Sequence, residues 1–343
     1  MESKYAGLAL DYTKALLSID SPTGMTAEAE EYVIKTLTAM GYEPVHTKKG
    51  GVICCLGGQG EGLLLSSHLD TLGAMVESIN PSGTLKATRI GGLNANNVET
   101  ELVRVYTRDD GILEGTFQLK NASIHVNKDY SDIKRDFDTI EVILDEDIKD
   151  AQGARALGVS VGDFICVDPR TAVTKSGYIK SRYLDDKLSC GMLLALGQWI
   201  KDESIDLKRK LYIYFTVYEE VGHGASSCIP ADVTEAVAVD MGCVGQGLSC
   251  TERQISICAK DSSGPYNKSV TDRLVSAARA AGADYAIDVY PYYGSDTGAM
   301  LRSGADLRHG LVGAGVYASH GYERSHIDGV LNTLKTLEAF LFL

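Results

Sequence analysis

The amino-acid sequence predicts an α/β fold: a mostly parallel sheet flanked by helices and interrupted by a small β-rich insertion. Three observations carry this. Helical and strand-like segments alternate towards both ends of the chain, the pattern of parallel strands joined by helical crossovers. Leu63-Leu64-Leu65 is an uninterrupted apolar run, as a strand buried on both faces requires. Across residues 76–163 the texture changes to short alternating runs separated by turn residues.

In order along the chain, residues 5–18 and 26–40 have helical spacing. In the second, Ala29, Val33, Leu37 and Met40 recur near the 3.6 period and Gly41 supplies a stop. Strands follow at 51–56 and 62–66. The stretch 76–163 contains a Gly/Asn cluster at 90–97, strands at 102–106 and 139–144, and a turn at Asp109-Asp110-Gly111. Helix–strand alternation then resumes, with helices at 184–201, 269–281 and 327–341. The strands there lie at 210–218, 236–240, 285–290 and 311–318. The expected organisation is a discontinuous domain of residues 1–75 and 164–343, with 76–163 inserted.

Composition excludes several classes. With 343 residues and 44% hydrophobic content, the chain can bury a full core without disulfides or structural metal. A net charge of −13, spread along the chain, argues against nucleic acid and anionic membrane as partners, since both select clustered Lys and Arg. The cysteines at 54, 55, 166, 190, 228, 243, 250 and 258 form no CxxC pair, so a thiolate metal site has no support and a reducing compartment is expected. Glu2, Lys4, Asp11 and Lys14 break up any apolar leader, and the apolar stretch 192–200 is too short to span a bilayer. A cytoplasmic location is the expectation.

Ligands of such sheets gather beyond the carboxyl ends of the strands, and metal-type side chains recur there. His68 closes the Leu63–Leu65 strand, with Asp70 two residues on, close enough to fix the imidazole's tautomer. Asp185-Asp186 stands at a loop-to-helix junction, where an acid is ordinarily an N-cap; two together let one cap and the other bind. Glu219-Glu220 follows the apolar run 211–218, where two adjacent acids repel and lose solvent. Asp240 ends the apolar run 236–239, and His320 ends 311–319. His326 competes with His320 but introduces the last helix instead of closing a strand.

Taken in order, His68-Leu69-Asp70, Leu184-Asp185-Asp186-Lys187, Glu219-Glu220-Val221-Gly222, Val239-Asp240 and Ser319-His320 resemble the motifs of the M42 family of dinuclear metalloaminopeptidases. That family includes glutamyl aminopeptidases and tetrahedral twelve-subunit peptidases; its wider relatives are the zinc exopeptidases. The likeness covers nearly the whole chain. Its insertion borders are matched by Gly73-Ala74-Met75-Val76 and by 157–163, and Gly294-Ser295-Asp296-Thr297 resembles its Gly-Thr-Asp segment near the substrate pocket. Departures flank the site: the loop 219–225 is one residue short and contains His223, Lys187 stands where Arg is frequent, and Gly321 where Ser is frequent.

The resemblance implies a zinc-exopeptidase-like fold whose insertion is a dimerisation domain, and a homo-oligomer from dimer to dodecamer. It implies two divalent ions per subunit, Zn²⁺ by default with Co²⁺ or Mn²⁺ as alternatives. Asp185 would bridge them; His68 and Asp240 would complete one ligand set, and Glu220 and His320 the other. A metal-bridged hydroxide would attack the peptide bond, with Glu219 as general base and then acid, and Asp70 orienting His68. Other readings compete. N-acyl amino acid deacylation or carboxypeptidase action would use the same metal site. An endoglucanase needs two carboxyls roughly 5–10 Å apart, which adjacent Glu219 and Glu220 serve poorly. A non-catalytic metal-binding homologue should lack a ligand or the base, and none is missing. Tyr292, Tyr293 and His223 have no assigned role at this stage.

Overall fold

A computed structural model describes residues 1–109 and 111–343; Asp110 of the expected 109–111 turn lies outside them. The chain divides into two compact units, one formed by Met1–Thr71 with Arg170–Leu343 and the other by Leu72–Pro169. These limits differ by a few residues from the expected 75/76 and 163/164. The reason is pairing: Gly73–Ile79 and Phe164–Val167 are both strands of the smaller unit, joined through Ala74 opposite Ile165.

The larger unit is built on a sheet whose central strands lie in the order Lys210–Thr216, Gly62–His68, Val233–Val239, Arg308–Tyr317, all parallel. Antiparallel pairs flank these four strands. Val52–Gly57 pairs antiparallel with Lys210–Thr216 because the short link from Gly57 to Gly62 reverses the chain without room for a crossover. On the other side, Ile255–Asp261 pairs antiparallel with Arg308–Tyr317, as does Glu323–His326, which in turn pairs with Tyr178–Ser181. Every residue of Gly62–His68 is buried, as its apolar run predicts for a central strand.

Helix Leu184–Asp202 is covered all round, its side chains from Leu184 to Gly197 being buried. It packs against helix Ser3–Leu17 closely enough that a Cβ on Gly191 would lie 2.2 Å from Thr13 Oγ1 and 2.5 Å from the Ala9 carbonyl oxygen. Two expected boundaries shift at functionally placed turns. Asp185 and Asp186, joined by a cis peptide, have non-helical dihedrals, and those dihedrals place the start of the regular helix after them. The 210–218 strand stops at Thr216 because Tyr218 is left-handed (φ 71°) and leads into the short 3₁₀ turn Glu219–Val221. Glu219 and Glu220 thus sit on a turn, not a strand end. The helix Asp296–Arg302 and the strand Glu323–His326 are too short for periodicity to reveal.

The smaller unit is a closed barrel of strands Gly73–Ile79, Leu85–Ile90, Ile140–Leu144, Ile112–Leu119, Leu102–Tyr106 and Phe164–Val167. Val76, Val103, Val105, Phe117, Val142 and Ile165 fill its interior, as alternation along short strands demands. Among the described residues, no helix is long and apolar enough to cross a membrane.

The helix contact yields a direct test. Gly191→Ala should lower unfolding stability by about 1–3 kcal/mol through overpacking against backbone, read as a lower urea midpoint. An unchanged midpoint would show that the two helices are not held at this separation.

Candidate metal centre

Parallel strands bring their carboxyl ends to one edge of the sheet, and register decides which residues meet there. Thr216 lies opposite His68, Ala238 opposite Ser66, and Val239 opposite Val312. His68, Asp240 and the turn after Thr216 therefore emerge side by side. Asp240 N–H donates to the Val312 carbonyl at 3.0 Å. The neighbouring strand passes so close that a Cβ on Gly313 would fall 1.7 Å from the Asp240 carbonyl oxygen, so only glycine fits there. The remaining acids and the second imidazole arrive on turns with left-handed non-glycine residues: Tyr183 (φ 65°) before Asp185, Tyr218 (φ 71°) before Glu219, and Ala318 (φ 58°) with His320 itself (φ 62°). Each costs roughly 1–2 kcal/mol relative to ordinary backbone.

All five expected ligand residues come together. Asp185 Oδ1 lies 3.1 Å from His68 Nε2, and its Oδ2 lies 3.5 Å from His320 Nε2. His320 Nε2 is also 3.6 Å from Glu220 Oε2. Two overlapping groups result, His68–Asp185–Asp240 and Asp185–Glu220–His320, each with one donor atom per residue within 4.8 Å of the others. Glu219 belongs to neither; its Oε2 stands 3.8 Å from His68 Nε2. The first group is buried, whereas the His320 side chain is 40% exposed.

The surroundings hold these side chains in place. Asp70, expected to orient His68, faces the ring with its backbone carbonyl. His68 Nδ1 lies 2.9 Å from the Asp70 backbone carbonyl oxygen, against 3.7 Å to the carboxylate. At a spacing of two residues the carbonyl reaches the ring first. The Asp70 carboxylate instead accepts the Thr23 hydroxyl (2.6 Å) and the backbone N–H groups of Glu219 (3.1 Å) and Glu220 (3.3 Å). Asp186, adjacent to Asp185, accepts the His68 N–H at 3.3 Å. Asp296 accepts the Ala225 N–H at 2.8 Å and the Thr216 hydroxyl, and Lys49 donates to the His223 and Gly224 carbonyls, so the loop after Glu220 is tied at both faces. Glu323, which the sequence reading missed, accepts the Asp185 N–H (3.1 Å) and the His320 N–H (3.0 Å). It stands next to Arg324 in a polar run, and nothing in that run signals burial.

His326 is not part of the site. Its Nε2 lies 2.7 Å from the Ser176 carbonyl oxygen, and its Nδ1 accepts the Asp328 N–H as a helix cap. His223 stacks on Tyr218 with ring centroids 5.1 Å apart. Tyr293 donates to the Met241 carbonyl at 3.0 Å and, with Met241, Cys243, Tyr292 and Gly294, lines a cavity of about 430 Å³ that opens onto the cluster.

The cluster is electrostatically unfinished. Burial, followed by repulsion from Asp185, pushes Asp240 up to about 7. Burial also raises Glu219 and Glu220 well above the carboxylate range. Burial would raise Asp185 too, but the hydrogen bonds to His320 and His68 hold it below its ordinary value. For His68, burial opposes the imidazolium, yet Asp185, Glu219 and Asp240 outweigh it and raise the ring well above its usual value. Glu220 Oε1 is buried with no hydrogen-bond partner. Glu235, at the opposite end of the Asp240 strand, shows what a finished buried acid looks like: Arg273 donates at 2.8 and 2.9 Å and Arg209 at 3.1 Å. Imidazole nitrogens and carboxylate oxygens short of positive charge fit Zn²⁺, Co²⁺ or Mn²⁺. Burial pushes the Cys243 thiol upward, which keeps it neutral beside this set.

Comparison with known proteins gives a family and a fold. The family described as M42 glutamyl aminopeptidase matches residues 50–336. The putative aminopeptidase YhfE of Bacillus subtilis is 41% identical over 96% of this chain and 95% of its own length. Among solved structures, a TET aminopeptidase from a marine sediment Thaumarchaeota archaeon superposes with a TM-score of 0.89 at 20% identity, covering 98% of this chain and 96% of its own. The Pyrococcus horikoshii TET1 peptidase, described as assembling into a tetrahedron or a large octahedral shell, gives 0.85 at 23% identity, covering 96% and 98%. At these identities the likeness of structure speaks for the fold.

The raised acids set a pH dependence. A carboxyl held at about 7 in the folded chain binds its proton more tightly than when unfolded. The stability it lends to cation-free protein is full below the unfolded value and is lost as pH rises through about 7. Cations that replace those protons should therefore raise the melting temperature of chelator-treated protein more at pH 8 than at pH 6. Scanning calorimetry reads this directly; an equal or smaller gain at pH 8 contradicts the electrostatic account.

Proposed function

This chain belongs to the M42 glutamyl aminopeptidase family, and from that membership we propose that it removes N-terminal residues from peptides with two divalent cations per subunit. The observation that carries this reading is the disposition of Asp185, whose two carboxylate oxygens face two different imidazoles, His68 and His320. A single cation would not use both faces; a pair sharing Asp185 would. His68, Asp185 and Asp240 would hold one, and Asp185, Glu220 and His320 the other. Zn²⁺ is the default occupant of such a donor set, with Co²⁺ and Mn²⁺ as alternatives. Bound there, the cations would polarise the scissile carbonyl and acidify a water.

The protein's own groups supply the rest. Glu219 lies outside both ligand groups, and its raised affinity for a proton suits a group that takes one from the attacking water and returns it to the leaving amine. Its backbone, and that of Glu220, is held by the Asp70 carboxylate, so the base keeps its place as its charge changes. The Asp70 carbonyl holds His68 Nδ1 and leaves Nε2 facing Asp185. The cavity beside Met241, Cys243 and Tyr293 gives the departing residue's side chain a partly apolar wall.

Two further parts of the reading concern assembly and location. The barrel unit, Leu72–Pro169, would pair subunits in a homo-oligomer; Leu102, Ile112, Ile124, Val126 and Val161 are apolar and exposed on it. A reducing cytoplasm fits a chain with no disulfide among the described residues.

The test of the activity is a panel of aminoacyl-nitroanilides with free and acetylated amino termini, assayed with chelator and with added Zn²⁺, Co²⁺ or Mn²⁺. Cleavage confined to free termini and lost with chelator is expected; preference for acetylated substrates would move the assignment to a deacylase. Glu219→Gln should retain both ions and lose about 10²- to 10⁴-fold in kcat, whereas Asp185→Ala should lose ions and activity together. Near-wild-type turnover in Glu219→Gln would remove it as the base. Light scattering should show more than one subunit per particle, and monomer alone would refute the pairing role of the barrel.

A further inference from the structure

Two buried carboxylates outside the ligand groups each accept a pair of backbone N–H groups from the turns that carry those groups. Asp70 takes the N–H groups of Glu219 and Glu220. Glu323 takes those of Asp185 and His320, at 3.1 and 3.0 Å. Both residues that Glu323 holds belong to the same candidate cation group, Asp185–Glu220–His320.

Resting on the reading above, we infer that Glu323 is a positioning residue that sets how tightly the Asp185–Glu220–His320 group binds its cation. Three features of the fold support this. Glu323 lies directly opposite Ser181 in the antiparallel pair with Tyr178–Ser181, the strand that runs through Arg182 and Tyr183 into Asp185. One rung of sheet therefore fixes Glu323 relative to both turns. Those turns pass through left-handed Tyr183, Ala318 and His320, conformations that backbone preference alone does not maintain. Finally, the His320 side chain is 40% exposed where that of His68 is 2% exposed, so the backbone tie to Glu323 matters more for His320 than such a tie would for His68.

The chemistry requires a carboxylate. Each oxygen of Glu323 accepts one N–H, whereas an amide offers a single acceptor and turns an NH₂ towards the other donor, leaving a buried N–H unsatisfied. Asp keeps both acceptors but is one methylene short.

The experiment is calorimetric titration of chelator-stripped wild type and Glu323→Gln with Zn²⁺ and separately with Co²⁺. Circular dichroism and melting temperature are recorded on the same samples. Wild type should take up two ions. Glu323→Gln should weaken the Asp185–Glu220–His320 site by about 10- to 100-fold, the usual effect of removing a partner behind a ligand, and the other site, which shares Asp185 but not His320, by clearly less. Glu323→Asp should fall between them, and it carries the test if the Gln variant does not fold. Two wild-type constants in the variant, or equal weakening at both sites, would overturn the inference; a merely structural role would lower the melting temperature without separating the sites. Wild type that binds fewer than two ions would instead bring down the dinuclear reading itself.

Discussion

Asp185, Glu219, Glu220 and Asp240 meet only two imidazoles at the carboxyl edge of a parallel sheet, and the electrostatic cost of gathering them there governs the rest of the site. A lone buried carboxylate responds to desolvation by taking a proton. Asp240, Glu219 and Glu220 are pushed that way, and only Asp185, between two histidines, is not. Glu235 shows that this chain neutralises a structural buried acid with guanidinium groups. Asp240, just beyond the other end of the same strand, has no guanidinium partner among the described residues, a charge pattern that suits a group able to hold a cation.

Holding such a cluster requires backbone that would not otherwise stay put. The sheet delivers His68 and Asp240 on regular strands, where register alone aligns them. Asp185, Glu219, Glu220 and His320 come on left-handed turns, and each of those turns is tied by a buried carboxylate that accepts backbone N–H groups. The strain and the ties belong together: local conformations of low population persist where surrounding hydrogen bonds over-determine them. Asp296 and Lys49 extend the same arrangement to the loop that carries the adjacent acids.

Where the sequence was legible, it was legible because a pattern stopped. The apolar run 236–239 ends abruptly at Asp240, the run 63–65 gives way through two serines to His68, and a polar residue closing a buried strand stands out against its neighbours. Asp185 could be singled out as half of an adjacent acid pair at a loop-to-helix junction, but composition does not report the non-helical dihedrals that it takes there. The H-x-D spacing pointed to Asp70 as a partner for His68 but not to the oxygen that meets the ring, since a contact between residues two apart is settled by local geometry that sequence does not carry. Glu323 left no trace: its importance comes from a strand pairing 138 residues away from Asp185, which no local pattern encodes. The antiparallel pairs that flank the central strands were likewise invisible, because pairing partners depend on how connections cross and not on the strands' own composition.

The central claim is that one carboxylate, Asp185, is shared between two cations. It is tested most directly by anomalous diffraction from crystals grown with Zn²⁺ or Co²⁺. The account predicts two peaks per subunit, one against His68, Asp185 and Asp240 and the other against Asp185, Glu220 and His320, with Glu219 bound to neither. A single peak, or a pair that leaves either oxygen of Asp185 uncoordinated, would contradict it.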